Sequence, residues 1–105
     1  MTDDEVAAVC DVARAQERVV AAHARSAESI RMCVRNGVTV IYHATCADHD
    51  ALDLLEAHKA TVFVAPALSV TVTRLRDAGK FGLPSSDAMR ARIDADLELT
   101  IATMK

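Results

Sequence analysis

The sequence predicts an α/β fold of parallel βα repeats, and three observations carry that prediction. Apolar, β-branched stretches recur at residues 18–23, 38–43 and 61–68, with strand starts about 20 residues apart. A helical pattern separates each stretch from the next, as right-handed crossovers between parallel strands require. Hydrophobic residues make up 51% of the 105 residues and aromatics only 3%. The interior must therefore be filled by Val, Leu, Ile and Ala, as in sheets covered by helices on their faces.

The elements follow in order. Thr2-Asp-Asp-Glu5 fits a capping box, which satisfies free backbone N–H groups at a helix start. Asp3, Asp4 and Glu5 also lie at the positive end of that helix's dipole. Val6, Val9, Cys10 and Ala13 fall on one helical face, and the helix should fade near Gln16. Residues 18–23, RVVAAH, read as a short buried strand. Ser26 is placed to cap a second helix, with Ile30, Cys33 and Val34 facing inward. Asn36-Gly37 ends it, because both residue types tolerate the left-handed conformation found there. Residues 38–43, VTVIYH, form the clearest strand.

Asp48 is placed to cap a third helix, with Leu52, Leu54 and Leu55 inward. Residues 61–68, TVFVAPAL, read as a third strand. Pro66 lacks an N–H and should fall beyond its ladder. Residues 76–87 hold two of the three glycines and one of the two prolines, and read as a loop. Ser85 or Ser86 then caps a last helix with a stripe of Met89, Ile93, Leu97, Ile101 and Met104.

Composition excludes several classes of function. A net charge of −3 leaves no basic footprint for nucleic acid. No apolar run reaches the roughly 18 residues of a membrane span. The acidic N-terminus lacks the basic start and apolar core of a signal peptide, so a cytoplasmic location is expected. Cys10, Cys33 and Cys46 are unevenly spaced and show no zinc-knuckle or CxxC pattern. They read as packed thiols in a reducing compartment.

His23 and His43 end the first two strands in this reading. In α/β folds, sites form at the carboxyl ends of parallel strands. Neighbouring strands lie about 4.8 Å apart. Two imidazoles at equal height on such strands can therefore reach one metal ion, or a close pair of ions. A strand-end histidine can also be a polar cap on the sheet, so the structural reading stays open beside the metal one. His49 and His58 belong to a helix and read as solvated. No aspartate or glutamate ends a strand, and no GxSxG motif, phosphate loop or dinucleotide fingerprint is present. Two ligands without partners look like part of a site.

These residues resemble the metal-dependent amidohydrolases, in particular their imidazolonepropionase-like and Xaa-Pro-dipeptidase-like branch. The matching pieces are Ala22-His23-Ala24, Ile30 with Asn36-Gly37-Val38, Ile41-Tyr42-His43, Asp50-Ala51-Leu52 and Ala65-Pro66-Ala67-Leu68-Ser69. They occur in the family's order. The resemblance implies part of a (β/α)8 TIM-type barrel, roughly its strands 5 to 7 with flanking helices. It implies His23 and His43 as metal ligands following the fifth and sixth strands. It also implies one or two divalent ions, zinc foremost, that activate water to cleave an amide, ester or other C–N bond of a small-molecule substrate.

The sequence departs from the family at several positions. Tyr42 stands where the branch has Glu, and Ala44 where Gly is frequent. Arg25 replaces a second His or a small residue and could face an anionic group at the mouth of the site. Tyr42 alternates with His43 along the strand, so its side chain is expected on the helix side. Arg25, Tyr42 and Ser69 are the candidate substrate contacts. The family's first-strand HxH pair, its fourth-strand lysine and its eighth-strand aspartate have no counterpart in residues 1–105, which read as a barrel domain truncated at both ends. No catalytic acid or base is therefore expected in this chain, and alone it should be inactive. Open sheet edges suggest an oligomer or a complementing chain. The alternative reading is a small α/β binding or assembly module, or a degenerate relative, with histidines that are only structural.

Overall fold

The computed structural model describes residues 1–82 and 86–103. Its elements run α1 (Asp3–Ala15), β1 (Ala21–Ser26), α2 (Ala27–Asn36), β2 (Val40–Cys46), α3 (His49–Ala57), β3 (Phe63–Ala65), α4 (Leu68–Asp77), a 3₁₀ turn (Ala78–Phe81) and α5 (Asp87–Thr103). The three strands form one open parallel sheet in the order β1-β2-β3.

Local chemistry sets the helix ends. Thr2 and Glu5 form the capping box: the Thr2 N–H donates to Glu5 Oε2 at 2.7 Å, and the Glu5 N–H to the Thr2 hydroxyl at 3.3 Å. Ser26 and Asp48 accept the N–H groups of Ser29 and Ala51. Ser86 accepts from the Met89 N–H at the start of α5, while Ser85 lies outside the described residues. Gly37 ends α2 at φ +81°, with the Val38 N–H donating back to the Cys33 carbonyl at 3.0 Å. This is the left-handed position at which a side chain costs most.

Both histidine strands run three residues further than the sequence pattern suggests, so His23 and His43 lie mid-strand and not at strand ends. Each strand also starts later. Arg18 is taken by the turn that closes α1: Glu17 is left-handed (φ 54°) and the Arg18 N–H donates to the Ala13 carbonyl at 2.8 Å. Beyond His23, Ala24 and Ser26 keep pairing with His43 and Cys46. Ser26 is at once the last residue of β1 and the cap of α2, so no loop intervenes. The third strand is shorter than expected. The Thr61 and Val62 N–H groups donate to the His58 carbonyl, and Pro66 has none to offer the ladder.

The stretch after β3 holds one element that the pattern missed. Residues 68–77, LSVTVTRLRD, are rich in β-branched side chains yet form α4. Packing against α5 outweighs the weak helix propensity of Val and Thr. The expected loop at 76–87 is correspondingly shorter: Arg76 and Asp77 finish α4 and a 3₁₀ turn follows. In α5 only Ile93 and Leu97 of the proposed stripe are half-buried. Met89 and Ile101 are exposed, Met104 lies outside the described residues, and Thr100 is the buried position.

The core lies between the sheet and α1–α3. Ile30, Cys33 and Val34 of α2 meet Ala24, Val38 and Ile41, with Cys10 and Ala51 closing the sides. Ile41, on the central strand, is wholly buried. Truncating Ile41→Ala should cost about 2–5 kcal/mol, from lost transfer free energy plus a cavity that rigid neighbours cannot fill. Urea unfolding of the two proteins measures this. A loss below about 0.5 kcal/mol, the scale of a surface substitution, would contradict the packing described.

Candidate metal and substrate site

β1 carries His23 and Arg25 two residues apart, on the side opposite the buried Ala24. β2 carries Tyr42 and His43. Tyr42 is the register partner of His23, and their rings stack with centroids 5.1 Å apart. His43 also reaches His23: Nδ1 of His23 and Nε2 of His43 are 2.9 Å apart, with ring centroids at 5.0 Å. One ring nitrogen donates and the other accepts.

Consecutive strand residues should face opposite sides, so both rings could not contact His23 in a regular strand. The backbone resolves this. His43 (φ 79°) and Ala44 (φ 51°) are both left-handed, and the β1–β2 register slips by one residue between Ala24 and Ser26. This bulge turns His43 back toward His23. Tyr42 therefore lies on the histidine side, not on the helix side as strict alternation implied.

A recess of about 30 Å³ adjoins His43, walled by Arg25, Thr71, Arg74, Ile93 and Asp96 among others. It draws on β1, β2, α4 and α5 together. The His43 imidazole is held below the ordinary histidine pKa, first by burial, then by the Arg25 charge, then by His23. Ser69 lies elsewhere. It lines a separate groove with Val70, Thr73, Arg74 and Phe81. Arg74, which lines both, was invisible to pattern reading because the helix that carries it was missed. A basic residue on an amphipathic turn was the signal available.

Two nitrogens on one tetrahedral zinc lie about 3.3 Å apart, given bonds of about 2.0–2.1 Å. The His23–His43 separation is a few tenths of an ångström short of that. An ion would have to lie off the N···N line, so sharing it requires the two rings to turn and aim both lone pairs at that point. With that turn the pair fits two members of a ligand set, while among the described residues no group of three or more His, Cys, Asp or Glu comes together.

Solved structures with this arrangement of elements are known. An amidohydrolase is 26% identical over 99% of this chain, with a TM-score of 0.81, and the match takes up 24% of that protein. A prolidase complexed with N-methylphosphonate-L-proline is 27% identical over 99%, with a TM-score of 0.75 and 26% of its own chain covered. The structural neighbours of this chain are amidohydrolases. A Xaa-Pro dipeptidase with methionine bound in its active site is a further amidohydrolase neighbour, 25% identical over 98% with a TM-score of 0.73 and 25% of its own chain covered. The chain thus spans about a quarter of the amidohydrolases it matches. No family model matches it, and no curated protein matches its sequence.

The environment of His43 has a consequence in solution. Because its folded-state pKa is depressed, the unfolded chain binds more protons as the pH falls through 6.5 and below. The stabilisation from neutral His43 is complete above that value and is lost on acidification. In metal-free protein the His43 ring should titrate below 6.5, and Arg25→Gln should move the midpoint up toward it. A pH series of histidine ring proton shifts reads both. A midpoint at or above the ordinary value, or one indifferent to Arg25, would sink this account.

Proposed function

We propose that the chain is part of a (β/α)8 barrel hydrolase, and that His23 and His43 are two of the ligands of its divalent metal, zinc foremost. The observation that carries this reading is the 2.9 Å approach of the two imidazole nitrogens from neighbouring parallel strands. The amidohydrolase neighbours support it, since their chains continue well beyond the matched quarter. The substrate class proposed is a small molecule with a scissile amide, ester or other C–N bond.

Each residue has a defined task in this reading. His23 and His43 offer ring nitrogens, and burial followed by the charge of Arg25 disfavours the His43 imidazolium that would compete. Tyr42, stacked on His23, fixes the plane of that ring. His23 and His43 would hold a divalent ion, whose chemistry there would be Lewis-acid activation of water and of the scissile carbonyl. No catalytic acid or base is assigned within residues 1–105, so the proton-transfer group of the proposed site comes from outside this chain.

The sheet supports the same reading. Among the described residues neither outer edge is paired, since β1 and β3 each have β2 as their one strand neighbour. Phe63 on β3 is 66% exposed and Val19, just before β1, is 73% exposed. Such edges and apolar side chains are what further strands would cover. We place the protein in the cytoplasm. Among the described residues no helix is long and apolar enough to cross a membrane.

Zinc titration tests the ligand assignment. The 105-residue chain should bind zinc, and His23→Ala or His43→Ala should weaken binding at least about tenfold, since loss of even an outer-shell partner of a ligand costs about that much. Affinity unchanged in both variants would leave the histidines as structural caps. The chain alone should not hydrolyse amide or ester substrates. Chelator-sensitive turnover by the isolated chain would overturn the claim that the site is completed from outside.

A further inference from the structure

We propose that Cys10 and Cys33 are a redox modification site: a small disulfide oxidises the two thiols to an intramolecular disulfide that ties α1 to α2 over the strand carrying His23. This goes beyond the hydrolase reading and does not rest on it.

The packing of α1 on α2 brings the two thiols together. At the start of α1, Asp3 accepts from the Asn36 amide at 2.9 Å and from the Arg35 guanidinium at 2.8 Å. Near the end of α1, the Arg14 guanidinium lies 3.5 Å from where a Cβ of Gly37 would stand. Both ends of α1 thus reach the last turn of α2, so the middle of α1 lies against that turn. Asp3, Cys10 and Arg14 are spaced by seven and four residues, which puts them on one stripe of the helix. Cys10 is the middle member of that stripe, and Cys33 belongs to the turn it crosses. Both thiols are buried in one cluster with Ala24 of β1. Helix axes pack about 8–10 Å apart, with each Cα about 2.3 Å off its axis. Cα atoms facing across such a contact come near the range of about 4.4–6.8 Å that a disulfide spans.

The surroundings allow a reagent in. A groove of about 550 Å³ opens onto both cysteines, with Val6, Val9, Val20 and Met32 among its walls. That is the size of a small-molecule site, so a small neutral disulfide can reach sulfurs that are shielded from bulk water. Burial, and then the charge of Cys10, push the Cys33 thiol up. That second cause needs the two sulfurs to be near each other. Cys46 is exposed on β2 and stands apart from the pair.

The step is a thiol–disulfide exchange. One protein thiolate attacks the small disulfide, forms a mixed disulfide and releases one small thiol. The other protein thiolate attacks the protein sulfur of that mixed disulfide and releases the second. The protein thiols lose two electrons and two protons together, and the small disulfide takes up both to become two thiols. In a reducing compartment such a bond is transient, the form in which disulfides act as sensors.

Incubation of the 105-residue chain with 2-hydroxyethyl disulfide under native conditions, then alkylation and tryptic mapping by mass spectrometry, tests this. Arg14, Arg31 and Arg35 put Cys10, Cys33 and Cys46 on separate tryptic peptides. The expected product is a monomer with Cys10 linked to Cys33, returned to thiols by dithiothreitol. Cys46→Ala should form the same link, and it leaves both core thiols in place. The link closes a loop that holds the whole of β1, so the melting midpoint should rise by about 5 °C or more. No link between Cys10 and Cys33, a link that involves Cys46, one that forms only in denaturant, or an unchanged midpoint would overturn the proposal.

Discussion

The site depends on two left-handed residues in the central strand. His43 and Ala44 both take positive φ, although neither is glycine. A non-glycine residue in that region costs about 1–2 kcal/mol. Such strain persists only where the surroundings over-determine it. Here they do. β2 is paired on both sides, with Tyr42 held between His23 and Ala65. Ala44 is wholly buried and Thr45 nearly so. The β1 ladder runs on through His43 while the β3 ladder ends at Tyr42, so β1 and the burial of Ala44 and Thr45 hold the strained pair. The resemblance to amidohydrolases implies a glycine at position 44, and the left-handed backbone of Ala44 shows what glycine would relieve.

The helix starts carry this constraint to the rest of the fold. Ser26 begins α2 three residues after His23, and Asp48 begins α3 five residues after His43. With no slack between strand and cap, the depth of each histidine is tied to the seat of the following helix. Arg31 of α2 then bonds both carboxylate oxygens of Asp48, at 2.9 and 3.1 Å. That carboxylate lies below its ordinary pKa, chiefly through the Ala51 N–H and then through Arg31. Arg35 joins Asp3 to Glu28, linking α1 to α2. These groups are solvated, so they fix the register of the helices more than they stabilise them.

Much of this was legible in the sequence, and the misses have physical causes. The Thr2, Ser26 and Asp48 caps, the Gly37 stop and the parallel order follow from local chemistry that tertiary contacts do not override. Strand ends were misplaced because helix-closing turns at Arg18 and Thr61 consume backbone donors that a hydropathy pattern credits to the ladder. The helix α4 was hidden by its own valines and threonines, whose preference for strands yields to α5. With it went Arg74. Tyr42 was assigned to the wrong side because a bulge has no signature in a period of two. The histidine pair was legible only as a coincidence of height on two strands. Its hydrogen bond is a product of the bulge.

Arg25 bears on the proposed metal site in two opposed ways. Its charge opposes a proton on His43 and so favours the neutral imidazole that a metal would require. The same charge would repel a divalent cation held by His23 and His43. The first effect removes a competitor of the ion, and the second raises the energy of the ion itself. Arg25 lies on the exposed side of β1, so solvent and salt screen both effects. The depth of the histidine pair, set by the bulge and the caps, therefore decides more of the site's metal affinity than the nearby charge does.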